Sequence, residues 1–511
     1  MKSAALERAA CALTLALLAG CANLTVQEGD PWLLPPLEGP LDEPVDGPST
    51  TAVLGSAVPS QPPGALSLAD VLSSVERSYP LLEAAEQRRV VAAARQLEAL
   101  GAFDLKLGGK ARWKLDGFYE NHFADVYAEQ RTGLWGVSVL GGYRLGRGNF
   151  DPTYDGKPVT NYGGEARVGV SLPLLQGGAF DPARAKLEKS SLDRALAARD
   201  LRAIQVELAQ AATYAYWSWA TAGASLRVAE DLLSIAEERQ RAIDVRVERG
   251  DLPAIEALDN RRLVAKRLSE RVAAQRYLEQ AALKLSLFWR DADGRREQPL
   301  PSQLPRSLPA PSPLNESRLA EDLRLAAARR PELAMLRLKR RKLEVERRLA
   351  ENDLLPRLDV AVLASGDFND DPVKSKGEFE VEGALSFSFP VQQRKARGRL
   401  AAAEAELREL SAEGRYKQDA IEVEVLDALS AVRNSYRKLV QVREAARLTS
   451  QLAVAERRRF ELGASTILVL NLREKSAAEA AIDVIEGTAM YWLSVSAYRA
   501  AVGLALEVDA K

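Results

Sequence analysis

Thiols and imidazoles are almost absent from this chain: two cysteines and one histidine stand among 511 residues. A disulfide scaffold is excluded, as is any zinc site built on Cys and His. No G-x-x-x-x-G-K phosphate loop occurs. The glycine-rich run Gly141-Gly142-Tyr143-Arg144-Leu145-Gly146-Arg147-Gly148 leads into Asn149-Phe150-Asp151-Pro152 instead of a helix, which argues against a nucleotide site. Charge of one sign is also lacking. The 70 basic and 71 acidic residues leave a net charge of −1 and are mixed along the chain, so there is no segregated basic stripe for nucleic acid. Carboxylates are numerous but lie on charged, solvated helix faces. Nothing in the pattern forms an active site, and no cofactor or metal is expected.

Long apolar runs are missing too. The longest near the start, Ala9 to Leu18, follows Lys2 and Arg8 and is too short to span a bilayer. It ends in Leu18-Ala19-Gly20-Cys21, which resembles a bacterial lipobox. Residues 1–20 therefore read as a lipoprotein signal peptide, with Cys21 the lipidated residue. Residues 21–66 are rich in proline, from Pro31 to Pro63, and read as an extended tether.

What the chain does have is repetition. Residues 67–289 and 317–503 each read as short helices, an alternating strand, a loop, a second alternating strand, a very long helix, a glycine and a further helix. Residues 290–316 form a proline-rich linker between them, and 504–511 a tail. Tyr79-Pro80-Leu81-Leu82 answers Arg330-Pro331-Glu332-Leu333, and Ser171-Leu172-Pro173-Leu174 answers Ser388-Phe389-Pro390-Val391.

The long helices are expected over 179–249 and 393–462, each about 100 Å at 1.5 Å per residue. Leu201, Ile204, Leu208, Ala211, Ala215, Trp219, Ala222, Leu226, Ala229, Leu233 and Ala236 form a 3/4-spaced seam. So do Ile421, Val425, Ala428, Val432, Tyr436 and Leu439. The shorter helices of each half, including 252–289 and 465–503, together match the long one in length. Two of them stacked end to end would flank it.

The expected strands cover about 103–115, 163–172, 357–365 and 378–389. In the first, Leu105, Leu107, Ala111, Trp113 and Leu115 alternate with Lys106, Lys110, Arg112, Lys114 and Asp116. Ala166, Val168, Val170 and Leu172 alternate with Glu165, Arg167, Gly169 and Ser171. The second half repeats the pattern around Val360, Val362, Val381, Leu385 and Phe387. Four short strands, apolar on one face and polar on the other, are the signature of an outer-membrane barrel. Glu165, Glu378, Glu380 and Glu382 would line its bore with Lys106, Lys110 and Arg112. Four strands cannot close a barrel, so copies must assemble; three would give twelve strands and twelve helical columns. The loop from Lys114 to Tyr162 is long, and its strand-like part, Leu134 to Leu145, is expected to extend outside the cell. His122 falls in this loop.

This ordered series resembles the TolC family of outer-membrane efflux channels, with Pro173-Leu174-Leu175-Gln176-Gly177-Gly178 similar to the family's strand-to-helix junction. The resemblance implies a mainly helical protein with membrane β-structure. Four strands from each of three copies would form a twelve-stranded barrel, continued by a helical barrel through the periplasm. Implied partners are two further copies of the chain, outer-membrane lipid, a periplasmic adaptor and an inner-membrane pump. Pro173 and Pro390 would mark the strand-to-helix junctions. The periplasmic tips, which gate the channel and dock the adaptor, would hold Arg249, Gly250, Asp251, Leu252 and Glu256, with Leu462, Gly463, Ser465, Thr466, Ile467 and Val469. Family members often carry a carboxylate where Val469 stands, so an apolar constriction closed by dewetting is the alternative gate. The implied role is passive conduction. A lipid-anchored coiled-coil scaffold or an adaptor would explain the helices, but not the amphipathic strands.

Overall fold

A computed structural model describes residues 64–150, 159–369 and 379–504, all within one compact unit. The expected leader, Cys21, the tether up to residue 63, Glu378 and most of the tail lie outside the described residues. Helix α1 (Leu68–Ser78) is opened by a capping box: Asp70 donates its backbone N–H to Ser67 Oγ (3.2 Å), and the Ser67 N–H returns to Asp70 Oδ2 (2.9 Å). Prolines at N1 open α2 (Pro80–Leu100) and α6 (Pro331–Asn352), where the missing N–H costs nothing. The long helices are α3 (Pro182–Glu248) and α7 (Arg394–Glu461). Helices α4 (Ala254–Leu285), α5 (Leu319–Arg329) and α8 (Ile467–Ala501) complete the set.

The 3/4 spacing becomes packing. Leu208, Ala215, Trp219, Leu226, Leu233 and Ala236 of α3 are buried, as are Ile421, Val425, Ala428, Val432 and Leu439 of α7. Helix α3 packs against α2 and α4 of the first half and against α6 and α8 of the second; α7 packs against α6 and α8. The start of α2 meets the end of α4 beside α3, where Tyr79 stacks on Phe288 at 5.6 Å. The two halves are joined at mid-height by Trp217 of α3 stacked on Trp492 of α8 at 6.3 Å. Segment 290–316 is fastened to the same level. Trp492 Nε1 donates to the Pro309 carbonyl (3.1 Å), and Leu304 fills the space that the missing side chain of Gly223 leaves.

The strands form one antiparallel sheet in chain order: β1 (Lys106–Lys114), β2 (Asn121–Arg131), β3 (Ser138–Gly148), β4 (Glu165–Pro173), β5 (Arg357–Asp367) and β6 (Glu380–Ser388). Six strands replace the expected four. The segment 121–148 does not project outward; it is a hairpin inserted between β1 and β4. Its inner turn reaches the helical end of the sheet. A side chain at Gly136 would strike Pro173 and the Gly177 carbonyl, and Gln130 Nε2 donates to the Phe103 carbonyl where α2 gives way to β1. Strand β2 lacks the sequence signature of its neighbours because Phe123 and Tyr127 share a face with Asp125 and Glu129, which breaks the alternation. His122, expected in a loop, lies on β2 opposite Trp113 and Arg147.

Neither junction proline opens a helix. Pro173 is the last residue of β4, still opposite Asp359, and α3 begins only at Pro182 with Asp181 as its cap. Pro390 lies in a turn, its carbonyl accepting from the Gln393 N–H (3.1 Å) before α7 starts.

Candidate functional site

Register fixes which side chains share a face of the sheet, because directly opposed residues in an antiparallel pair point the same way. Lys110, Asp125, Arg144, Glu165 and Asp367 fall in one row across β1 to β5, and Ser365, two residues from Asp367, stands opposite Glu380 of β6. This face is polar and, on the inner strands, shielded: Asp125 is 9% exposed and Glu165 5%. Its central charges, on β2, β3 and β4, form a paired cluster. Arg144 lies 3.8 Å from Asp125 and 3.7 Å from Glu165, and Arg167 also bonds Asp125.

The opposite face carries Leu107, Ala111 and Trp113 on β1 and Ala124, Val126 and Ala128 on β2. On β3 it carries Val139, Tyr143 and Leu145, followed by Val168, Val170, Val360 and Val362, and on β6 Val381, Leu385 and Phe387. These side chains are open to the surroundings. Trp113 is 65% exposed, Val168 46%, Val362 49% and Phe387 68%. A sheet in water does the reverse, burying its apolar face. Apolar outside with paired charges inside is the arrangement that hydrocarbon favours. Among the described residues no helix is long and apolar enough to cross a membrane.

At the other end of the helices, two turns are built identically. Gly250 (φ +82°) and Gly463 (φ +74°) adopt the left-handed conformation that glycine tolerates best. The Gly250 N–H bonds the Val247 carbonyl and Asp251 the Arg246 carbonyl; Gly463 bonds Phe460 and Ala464 bonds Arg459 in the same way. Both are Schellman closures of a long helix. The structure brings Leu252 and Ile467 into one apolar cluster with Ile243, Ala257, Val247 and Phe460, so the ends of four helices share a small core. Arg249, Gly250, Asp251, Leu462 and Gly463 are exposed at the turns, and Glu256 is half-buried in the first turn of α4. Ser465 Oγ donates to Glu456. Thr466 caps α8, its Oγ1 accepting from the Val469 N–H (3.4 Å). Val469 itself is partly exposed and carries no charge.

An ion pair just above this core was not among the sequence-derived candidates. Arg239 of α3 binds Glu474 of α8, each side chain 9% exposed, and also donates to Asn471 Oδ1 (2.5 Å). Arg457 of α7 lies 3.2 Å from the same Glu474 carboxylate. The pair ties the long helix of the first half to the last helix of the second. Its signal was a charge in an apolar seam: Arg239 falls between buried Ala236 and Ile243, and Glu474 between buried Leu470 and Ala478.

Among the described residues no group of three or more His, Cys, Asp or Glu is placed to hold a metal.

Part of the chain matches a known family, and most of it shares a known fold. Residues 120–289, from β2 through α4, match the family model described as outer membrane efflux protein. Solved structures share the fold across most of the chain. A membrane protein from Pseudomonas aeruginosa superposes with a TM-score of 0.61 at 17% identity, covering 88% of this chain and 98% of its own. The Campylobacter jejuni CmeC outer membrane channel gives 0.59 at 14%, with 85% of each chain covered. The open state of the Neisseria gonorrhoeae MtrE outer membrane channel gives 0.59 at 15%, covering 87% and 90%. No curated protein matches the sequence. The family model thus covers residues 120–289, and the likeness to these solved structures extends the shared fold over most of the chain.

Proposed function

We propose that this chain is the outer-membrane conduit of a tripartite efflux or type I secretion system. Copies assemble, as a trimer by the family resemblance, into a barrel whose Val- and Leu-rich belt meets lipid and whose Asp125–Arg144–Glu165–Arg167 face lines a wet bore. The helices carry the passage towards the inner membrane, and a lipidated Cys21 adds a second hold on the membrane. The turns at Gly250 and Gly463 form the tips, where the neighbouring Arg249, Asp251, Leu252, Glu256, Leu462, Ser465, Thr466, Ile467 and Val469 meet an adaptor bound to the pump. Conduction is passive, and energy enters at the pump. Without a carboxylate at Val469, closure rests on apolar side chains and on the Arg239–Glu474 tie, which must loosen for the tips to separate.

The observation that carries this reading is the inverted sheet, apolar on its open face and ion-paired on its shielded one. The test is conductance of the purified protein in a planar bilayer, alongside heat-modifiable migration on a gel. Discrete conducting steps from a heat-labile oligomer are expected. A monomer that becomes water-soluble once the lipid anchor is removed would refute the conduit.

A further inference from the structure

The apolar face of the sheet is almost free of polar side chains, and the exceptions stand at its two ends. Over the paired residues of all six strands, that face carries Leu, Val, Ala, Gly, Phe, Trp and Tyr. Gln130, His122 and Arg147 are the only others. Gln130 lies at the end nearest the helices, where its Nε2 donates to the Phe103 and Arg131 carbonyls. His122 and Arg147 lie at the far end, directly opposite each other. Trp113 faces His122 from β1. On the other flank, the Arg147 guanidinium lies 4.8 Å over the ring of Tyr162 and donates to its carbonyl (2.6 Å). Trp113, His122 and Tyr162 are exposed and Arg147 partly so. Arg147 enters no ion pair among the described residues. The nearest carboxylate by register is that of Glu120, whose carbonyl accepts from the Asn149 N–H. It stands one step further out than His122 and is exposed.

We infer that the row Trp113, His122, Arg147 and Tyr162 binds the phosphate headgroup of an outer-leaflet lipid. The site rests on the conduit reading above and adds to it which lipid chemistry the rim takes. A cation on a lipid-facing strand is costly at the midplane and tolerated at the boundary, where polar headgroups reach it. Arg147 stands at that boundary, in the last apolar-face row before the strands end. Three neighbouring strands each supply an N–H donor there: the Trp113 indole, the His122 imidazole and the Arg147 guanidinium. Directly opposed residues are about 5 Å apart, so the donors span roughly 10 Å. The arginine fork suits two oxygens of one phosphate, and the flanking Trp and Tyr rings belong at headgroup level. A lipid fits better than a free anion because the surface directly inward can hold an acyl chain. There the small residues Ala111, Ala124 and Gly109 lie beside Leu145 and Tyr143. The helical end of the same face has no counterpart. Leu107, Leu172, Leu358 and Phe387 stand there without a charge, so the site distinguishes one leaflet from the other.

The experiment uses the full-length protein in phosphatidylcholine vesicles, with a fluorophore on Leu145→Cys, one row inward of Arg147. Tail-brominated phosphatidic acid, whose phosphate is terminal, is compared as quencher with tail-brominated phosphatidylcholine at the same share. Phosphatidic acid is expected to be enriched about fivefold beside the label, and added salt to lower that enrichment. H122Q/R147Q should abolish it while the heat-labile oligomer and its conductance persist. Equal quenching by the two lipids, indifference to salt, or an enrichment that survives H122Q/R147Q would overturn the site. Enrichment erased by inorganic phosphate at the concentration of the lipid would assign the row to a free anion and overturn the lipid. The label also separates the site from its parent. Equal quenching by both lipids removes the site and leaves the conduit; quenching by neither takes this face out of the membrane and removes both.

Discussion

Tyr79 and Arg330 occupy corresponding places and hold them by opposite chemistry. Each caps a helix opened by proline, and each meets the end of the helix stacked above it. Tyr79 lies flat on Phe288, their planes 5° apart. Arg330 sends its guanidinium to the Ala500 and Ala501 carbonyls (3.4 and 3.3 Å) and to Glu332 and Glu424 (2.7 and 2.9 Å). Burial works against its charge, but the hydrogen bonds it donates to Glu332 and Glu424 outweigh it and hold the guanidinium above its usual range.

Replacing Arg330 should therefore cost more than replacing a surface arginine. R330A is expected to lower stability by about 1–3 kcal/mol, read by thermal unfolding of the assembled protein, and R330K to recover little, because lysine cannot reproduce the fork. Y79F should be nearly neutral, since the stack needs only the ring.

Glu332 gives this junction a pH dependence. Burial would raise its carboxyl, but the hydrogen bond from Arg330 prevails and holds it below the ordinary carboxylate range. A lowered folded value means the contribution is complete above about pH 4.5 and is lost as pH falls through the folded value. The stability difference between wild type and E332Q should be largest at neutral pH and shrink in acid. A difference independent of pH would exclude the linkage.

The Arg239–Glu474 pair should restrain the tips. Removing one partner of a buried pair leaves the other charge uncompensated, so E474A is expected to raise open probability in a planar bilayer while the oligomer survives. R239A should raise it less, because Arg457 still pairs with the Glu474 carboxylate.

Gly463→Val places a branched side chain in a left-handed turn. No neighbour lies within 4 Å of where its Cβ would be, so the cost is backbone strain confined to the turn. Oligomers should form normally, and crosslinking to the adaptor should fall. Loss of the oligomer instead would move the docking surface elsewhere.

Much of this architecture was written plainly in the chain. The 3/4 seams announced α3 and α7, Gly250 and Gly463 their ends, and strict alternation β1, β4, β5 and β6. The inserted hairpin was not legible, for a physical reason. On the bore side of a barrel a residue need only avoid lipid, so Phe123 and Tyr127 can stand beside Asp125 and Glu129, while the lipid side of β2 is held by small Ala124 and Ala128. Strand β3 was visible, but without its partner it had no place in the sheet. The Arg239–Glu474 tie was hidden differently: each charge sits in a helix whose surface is already charged, and only the positions of its buried neighbours mark it out.

The most direct test concerns which side of the sheet meets lipid. Fluorophores attached at cysteines replacing Val168, Val362 or Phe387 should be quenched by brominated lipid tails and spared by iodide. Those at Glu165, Arg167 or Glu382 should show the reverse. Quenching by iodide at Val168, Val362 and Phe387, with the charged positions silent to it, would contradict the account at its root.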